Sequence, residues 1–296
     1  MAKQVVNDFS KGSIISNILR LSIPMTLAQL INVLYSIVDR IYIGRMGENS
    51  SLALTGVGVC LPIITIVIAF ANLIGMGGAP LFSIKRGEGN EKEAEAILGN
   101  SVTLLVIFGL CLTVVGLIVK RPLLYLLGAS ENTIEYANSY ITIYLLGNVF
   151  VMMSLGLNSF INAQGFGKTG MFTVVIGAVL NIILDPIFIS GFGMGAAGAA
   201  IATTIGNIMA SVYYLWYFCR KSRNMSMAFR YFKCGDRILS QVCSAGLPTA
   251  IFSALMSIST IILNQILVAY GNAPVAAIGI VFKANMFITF LQMGLA

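Results

Sequence analysis

Apolar residues run through this chain in long blocks separated by short polar connections. The blocks fall at about 14–43, 51–83, 96–119, 134–160, 170–190, 195–219 and 238–270, and another begins near 274. Each complete block is near or above the roughly 20 residues that an α-helix needs to cross a bilayer. The pattern therefore predicts eight membrane-spanning helices in an all-α, polytopic membrane protein. The first block is far longer than the roughly 7–15 residues of a signal-peptide core, and no small-residue cleavage site follows it. It is expected to stay in the mature protein.

Composition points the same way. The chain is 57% hydrophobic and 10% charged, with a mean hydropathy of +0.90, whereas about a quarter of the residues of a soluble domain are charged. Its five cysteines, Cys60, Cys111, Cys219, Cys234 and Cys243, form no C-x-x-C pair and are odd in number, which suggests neither a disulfide framework nor a metal cluster. The chain has no histidine, so the commonest proton shuttle and metal ligand is missing. Any proton-linked step must use carboxylates.

The basic residues set the expected orientation, because Lys and Arg collect on the cytoplasmic side of membrane proteins. Thirteen of the 18 lie on one side: Lys3, Lys11, Arg20, Lys85, Arg86, Lys92, Lys168, Arg220, Lys221, Arg223, Arg230, Lys233 and Arg237. Arg40, Arg45, Lys120 and Arg121 lie on the other, and Lys283 falls inside the eighth block. This places the N-terminus in the cytoplasm of a multi-pass plasma (inner) membrane protein. It also accounts for the net charge of +7 without nucleic acid as a partner.

Against this background, two aspartates stand out. Asp39 and Asp185 lie within apolar blocks, while the other acids occupy tails, connections or helix ends. A carboxylate at the bilayer centre costs about 2.5–3.5 kcal/mol on insertion scales, so an intramembrane acid needs a purpose. In the first block, Gln29, Asn32, Ser36 and Asp39 recur at spacings of three, four and three, which puts them on one helix face. Tyr35 and Tyr42 flank that stripe. In the fifth block, Asn181 and Asp185 are four apart and share a face. Pro186 follows at once and has no N–H to offer the carbonyl near Ile182. Both aspartates fall roughly 8–9 Å below the outer helix ends at 1.5 Å per residue. Two carboxylates at one height can hold a cation or a proton.

The other motifs are less specific. The small-residue run from Gly191 to Ala200 opens the sixth helix and favours close helix packing; Thr203 and Thr204 beyond it can add a hydroxyl to the acidic site. Arg86-Gly-Glu-Gly-Asn90 and Gln164-Gly-Phe-Gly-Lys168 match neither G-x-x-x-x-G-K-[ST] nor G-x-G-x-x-G. They read as tight turns, with no nucleotide expected.

An offset of 224 residues carries Pro24 onto Pro248, Gly47 onto Gly271 and Ala53 onto Ala277. Six crossings separate the copies, as in a parallel repeat about the membrane normal. Residues 1–220 read as an N-terminal lobe of six helices, 221–236 as a cytoplasmic linker, and 237–296 as the first two helices of a second lobe cut short by the end of the chain. Those two helices, lacking later neighbours, are expected to be poorly anchored.

Leu21-Ser-Ile-Pro24, Val38-Asp39, Ala163-Gln-Gly165, Asn181-Ile-Ile-Leu-Asp-Pro-Ile-Phe188 and Gly198-Ala-Ala-Ile-Ala-Thr203 occur in that order on those helices. Together they resemble the multidrug and toxic compound extrusion (MATE) family over the whole chain. The resemblance implies twelve helices in two lobes and alternating access. It also implies export of small organic, often cationic or amphipathic, compounds by a monomer in exchange for Na⁺ or H⁺, with no other cofactor and no enzyme activity. Its cation site transfers to Asp39, Asn181, Asp185 and Thr203; its substrate cavity would involve Gln29, Asn32, Tyr35, Ser36 and Tyr136. Leu263 and Met256 stand at the repeat positions of Asp39 and Asn32, so coupling is expected in the N-terminal lobe. Two other readings stand beside this one: a lipid-linked oligosaccharide flippase of the same superfamily, and an intramembrane enzyme using Asp39 and Asp185 as an aspartyl dyad.

Overall fold

A computed structural model describes residues 13–44, 50–220 and 237–268, together with Val281. The order is α1 (Ile14–Gly44), α2 (Ser50–Gly87), α3 (Glu91–Leu126), α4 (Ile134–Leu146), α5 (Asn148–Ala163), α6 (Gly167–Asp185), a π-helical turn (Pro186–Gly191), α7 (Gly195–Arg220) and α8 (Arg237–Val268). Apolar blocks become helices because a bilayer offers no partner to an open backbone N–H or C=O. Among the described residues, six helices are long and apolar enough to cross a membrane, and α4 with α5, bent by 58° at their junction, makes a seventh span. Of the expected spans, the eighth, apart from Val281, and the linker at 221–236 lie outside the described residues.

The connections follow local chemistry. At the start of α3, the Asn90 side chain accepts from the Glu93 N–H at 3.2 Å and donates to its carboxylate at 2.8 Å. Glu91 and Glu93 in the first turn also suit the positive end of the helix dipole. The 86–90 segment is thus a capped turn, tied further by Lys85 to Glu88 and Glu93.

Buried contacts fill the space between α2, α3, α4, α5 and α7. Phe82 and Phe160 meet edge to face with ring centres 5.7 Å apart, and Tyr214 and Phe218 of α7 are fully enclosed. The small-residue run behaves as its composition suggests: a Cβ on Gly198 would lie only 2.7–3.0 Å from the backbone of Phe188 and Ile189. This glycine lets the start of α7 rest directly on the π turn.

The expectation of a loosely held seventh span is corrected for its first turns. There α8 crosses α2 at backbone contact: a Cβ on Gly246 would overlap the carbonyl of Leu73, and one on Gly77 would overlap that of Val242. Val242 is fully buried, whereas Ile251, Phe252, Leu255 and Ile258 beyond Pro248 are exposed. Glycine on both helices makes this approach possible.

The packing of α1 against α6 brings the two aspartate-bearing helices together. Pro24 stays within a continuous α1, so Gln29, Asn32, Ser36 and Asp39 keep their common face.

Candidate functional site

The site is built outward from Asp185, the last residue of α6. It is fully buried, and Asn181 one turn earlier is nearly so. Of the two orientations of the Asn181 amide, one satisfies all its neighbours. In it, Nδ2 donates to Asp185 Oδ2 at 2.8 Å, and Oδ1 accepts from the Thr203 N–H at 3.2 Å and from its hydroxyl at 3.1 Å. The opposite orientation would set an amide oxygen against a carboxylate oxygen. Asn181 therefore joins α6 to α7 through two contacts with Thr203 and holds Asp185 within its own helix through a third.

Pro186 comes next, and the chain departs from α-helix at that point. The π turn runs Pro186–Gly191, with Phe192 N–H donating to Ile187 O at 2.8 Å and Met194 N–H to Phe188 O at 3.0 Å. Proline supplies no N–H to the Ile182 carbonyl, and π turns inside membrane helices gather at functional positions. The sequence pointed to a freed carbonyl; the wider turn that follows it is a property of the fold.

Asp39 approaches from α1. Its charge acts on Asp185, and both carboxylates act on Tyr35. Oδ1 of Asp39 and Oδ1 of Asp185 are buried without a hydrogen-bond partner. An unpaired buried acceptor costs about 1–3 kcal/mol, more when charged, so two of them on packed helices favour uptake of a proton or a cation. Among the described residues no group of three or more Asp, Glu, Cys or His gathers.

The remaining sequence candidates divide. Gln29, Asn32, Tyr35 and Ser36 are half-buried on α1. Tyr136 on α4 packs its Cβ toward Gly56 of α2, within 3.0 Å of where a Cβ would stand. On the same helix, Tyr140 lies within the influence of Asp39 and Tyr35, and Tyr144 within that of Tyr35. They are buried and stack at 6.4 Å. Neither was singled out from sequence, although Tyr136, Tyr140 and Tyr144 recur every four residues and so form one ridge of a helix.

Comparison with known proteins gives the family of the chain. The chain is 30% identical over 97% of its length to a multidrug export protein MepA of Staphylococcus saprophyticus and 29% identical to that of Staphylococcus aureus strain MRSA252, also over 97%. It spans 63% of the length of each of these relatives. Among solved structures, it superposes with a TM-score of 0.89 and 27% identity on a MOP superfamily transporter from Pyrococcus furiosus, covering all of this chain and 65% of that one. A MATE transporter of the MOP superfamily described as outward-facing gives 0.87 and 28%, with 96% of this chain and 63% of that one covered. The MatE family model matches residues 24–187, which include α1 with Asp39 and α6 with Asn181 and Asp185. The chain is a multi-pass membrane protein that belongs to the MatE family.

Proposed function

We propose that this chain forms the ion-coupling part of a plasma-membrane antiporter that exports small organic, often cationic, compounds in exchange for Na⁺ or H⁺. The single observation that carries this reading is the pair of buried, unpartnered carboxylate oxygens on Asp39 and Asp185. A permanent ion pair would leave no room for exchange. Two acids that form no ion pair among the described residues can accept an ion from one side and release it on the other.

The ion would be held by Asp39 and Asp185, with Asn181 and Thr203 contributing neutral oxygens. Asn181 orients the Asp185 carboxylate by donating to one oxygen and leaving the other available. The substrate would meet the α1 stripe of Gln29, Asn32, Tyr35 and Ser36, where an aromatic and amide surface suits an amphipathic cation. Alternating access couples the two, because a carboxylate emptied of its ion attracts a cationic drug and a filled one does not. The export named for the staphylococcal relatives supports this assignment, as does the positive-inside pattern for a cytoplasmic N-terminus.

Ethidium movement in vesicles carrying the protein tests the reading, with a Na⁺ gradient and a pH gradient applied separately. One of the two should drive ethidium against its own gradient. Transport indifferent to both would sink the antiporter assignment.

A further inference from the structure

The fourth span breaks beside the candidate ion site. Helix α4 ends at Leu146, α5 begins at Asn148, and the two axes differ by 58°. Gly147 lies between them with φ −85° and ψ −2°, a backbone that any residue can adopt. The turn itself does not demand glycine. Space does: a Cβ at 147 would overlap the methyl of Thr204 on α7 and stand 3.0 Å from its hydroxyl oxygen and 3.2 Å from its Cβ.

Thr204 is the neighbour of Thr203, which holds Asn181. Its own hydroxyl is buried and has no hydrogen-bond partner, so polar contacts do not fix its side chain. Contact with the notch at Gly147 does. Helix α7 packs on both α4 and α5, and the break lets a threonine enter where a continuous, Cβ-bearing helix would exclude it.

We propose that Gly147 is a positioning residue for the Asp185–Asn181–Thr203 site, acting through Thr204. Seating the Thr204 methyl in the notch fixes the rotation and height of α7, and so keeps both Thr203 donors 3.1–3.2 Å from the Asn181 oxygen. These contacts weaken steeply with distance and angle, so a shift of α7 large enough to clear a new methyl would release Asn181. Asp185 would then lose its fixed orientation. This inference rests on the ion-coupling reading of the site.

The test moves one methyl group across the interface. Gly147→Ala adds a Cβ, Thr204→Ser removes the methyl it would strike, and the double variant keeps the total volume constant. In vesicles, Gly147→Ala should raise the half-saturating concentration of the driving ion about tenfold, since overpacking a close contact displaces its partners. Thr204→Ser alone should raise it by less, and the double variant should return to within about twofold of wild type. Gly58→Ala, with open space around it, should change nothing. If Gly147→Ala fails to insert, the double variant must still insert and bind the ion normally. An unaltered ion dependence in Gly147→Ala, or a defect that Thr204→Ser does not relieve, would overturn the proposal. A wild type without ion dependence would overturn the coupling reading on which the positioning role rests, but not the steric seat of Thr204 at Gly147. Thermal unfolding in detergent would separate the two in that case, because a midpoint lowered by Gly147→Ala and restored in the double variant would still establish the steric seat.

Discussion

Asn181 donates to Asp185 Oδ2 at 2.8 Å and, through the other end of the same amide, accepts both the N–H and the hydroxyl of Thr203. One neutral side chain thus sets the direction of a buried carboxylate and ties it to the next span. The arrangement leaves Asp185 Oδ1 unpartnered in reach of the charge on Asp39. From it follow different expectations for the charged and the neutral members of the site.

Removing either charge should end coupling. Asp39→Asn or Asp185→Asn keeps shape and removes the ionisable group, so gradient-driven ethidium transport should fall to background while membrane insertion is retained. Transport at the wild-type rate in either variant would refute the site.

Loss of a neutral partner should act more gently. Asn181→Ala removes a hydrogen bond to a carboxylate, worth about 1.5–3 kcal/mol, and Thr203→Ala removes the neutral bond from its hydroxyl to Asn181, worth about 0.5–1.5 kcal/mol; ion affinity should weaken up to about tenfold, more for Asn181→Ala. The effect should appear as a higher half-saturating ion concentration at a largely unchanged maximal rate. Identical ion dependence in both variants would remove them from the site.

The orientation can be read with a membrane-impermeant thiol reagent in a cysteine-free background. Lys168 and Glu131 are both exposed, at the start of α6 and before α4. A cysteine replacing Lys168 should react only from the cytoplasm, and one replacing Glu131 only from outside. The reverse pattern would invert the topology.

The crossing of α2 and α8 should depend on its glycines. Gly246→Leu forces a side chain against the Leu73 carbonyl and should part the helices, exposing a cysteine placed at Val242, which is fully buried in the native packing. The same cysteine should stay protected in the Gly58→Ala background. Equal protection in both would mean that α8 is anchored elsewhere.

What the sequence determined by itself was everything that depends on neighbours along the chain. Hydropathy alone decides where a chain can cross a bilayer, because every backbone group in an apolar span must pair within its own helix. For the same reason the spacing of Gln29, Asn32, Ser36 and Asp39, and of Asn181 and Asp185, predicted shared faces, and a carboxylate in an apolar block announced a site by its cost. The tertiary structure decided what depends on contact between distant segments. No local pattern says that α1 lies on α6 and brings the charge of Asp39 to bear on Asp185, that Tyr140 and Tyr144 are buried as a stacked pair, or that the fourth span breaks at Gly147 to admit Thr204. Those features come from packing between helices, where a missing Cβ or a single methyl sets how closely two backbones approach.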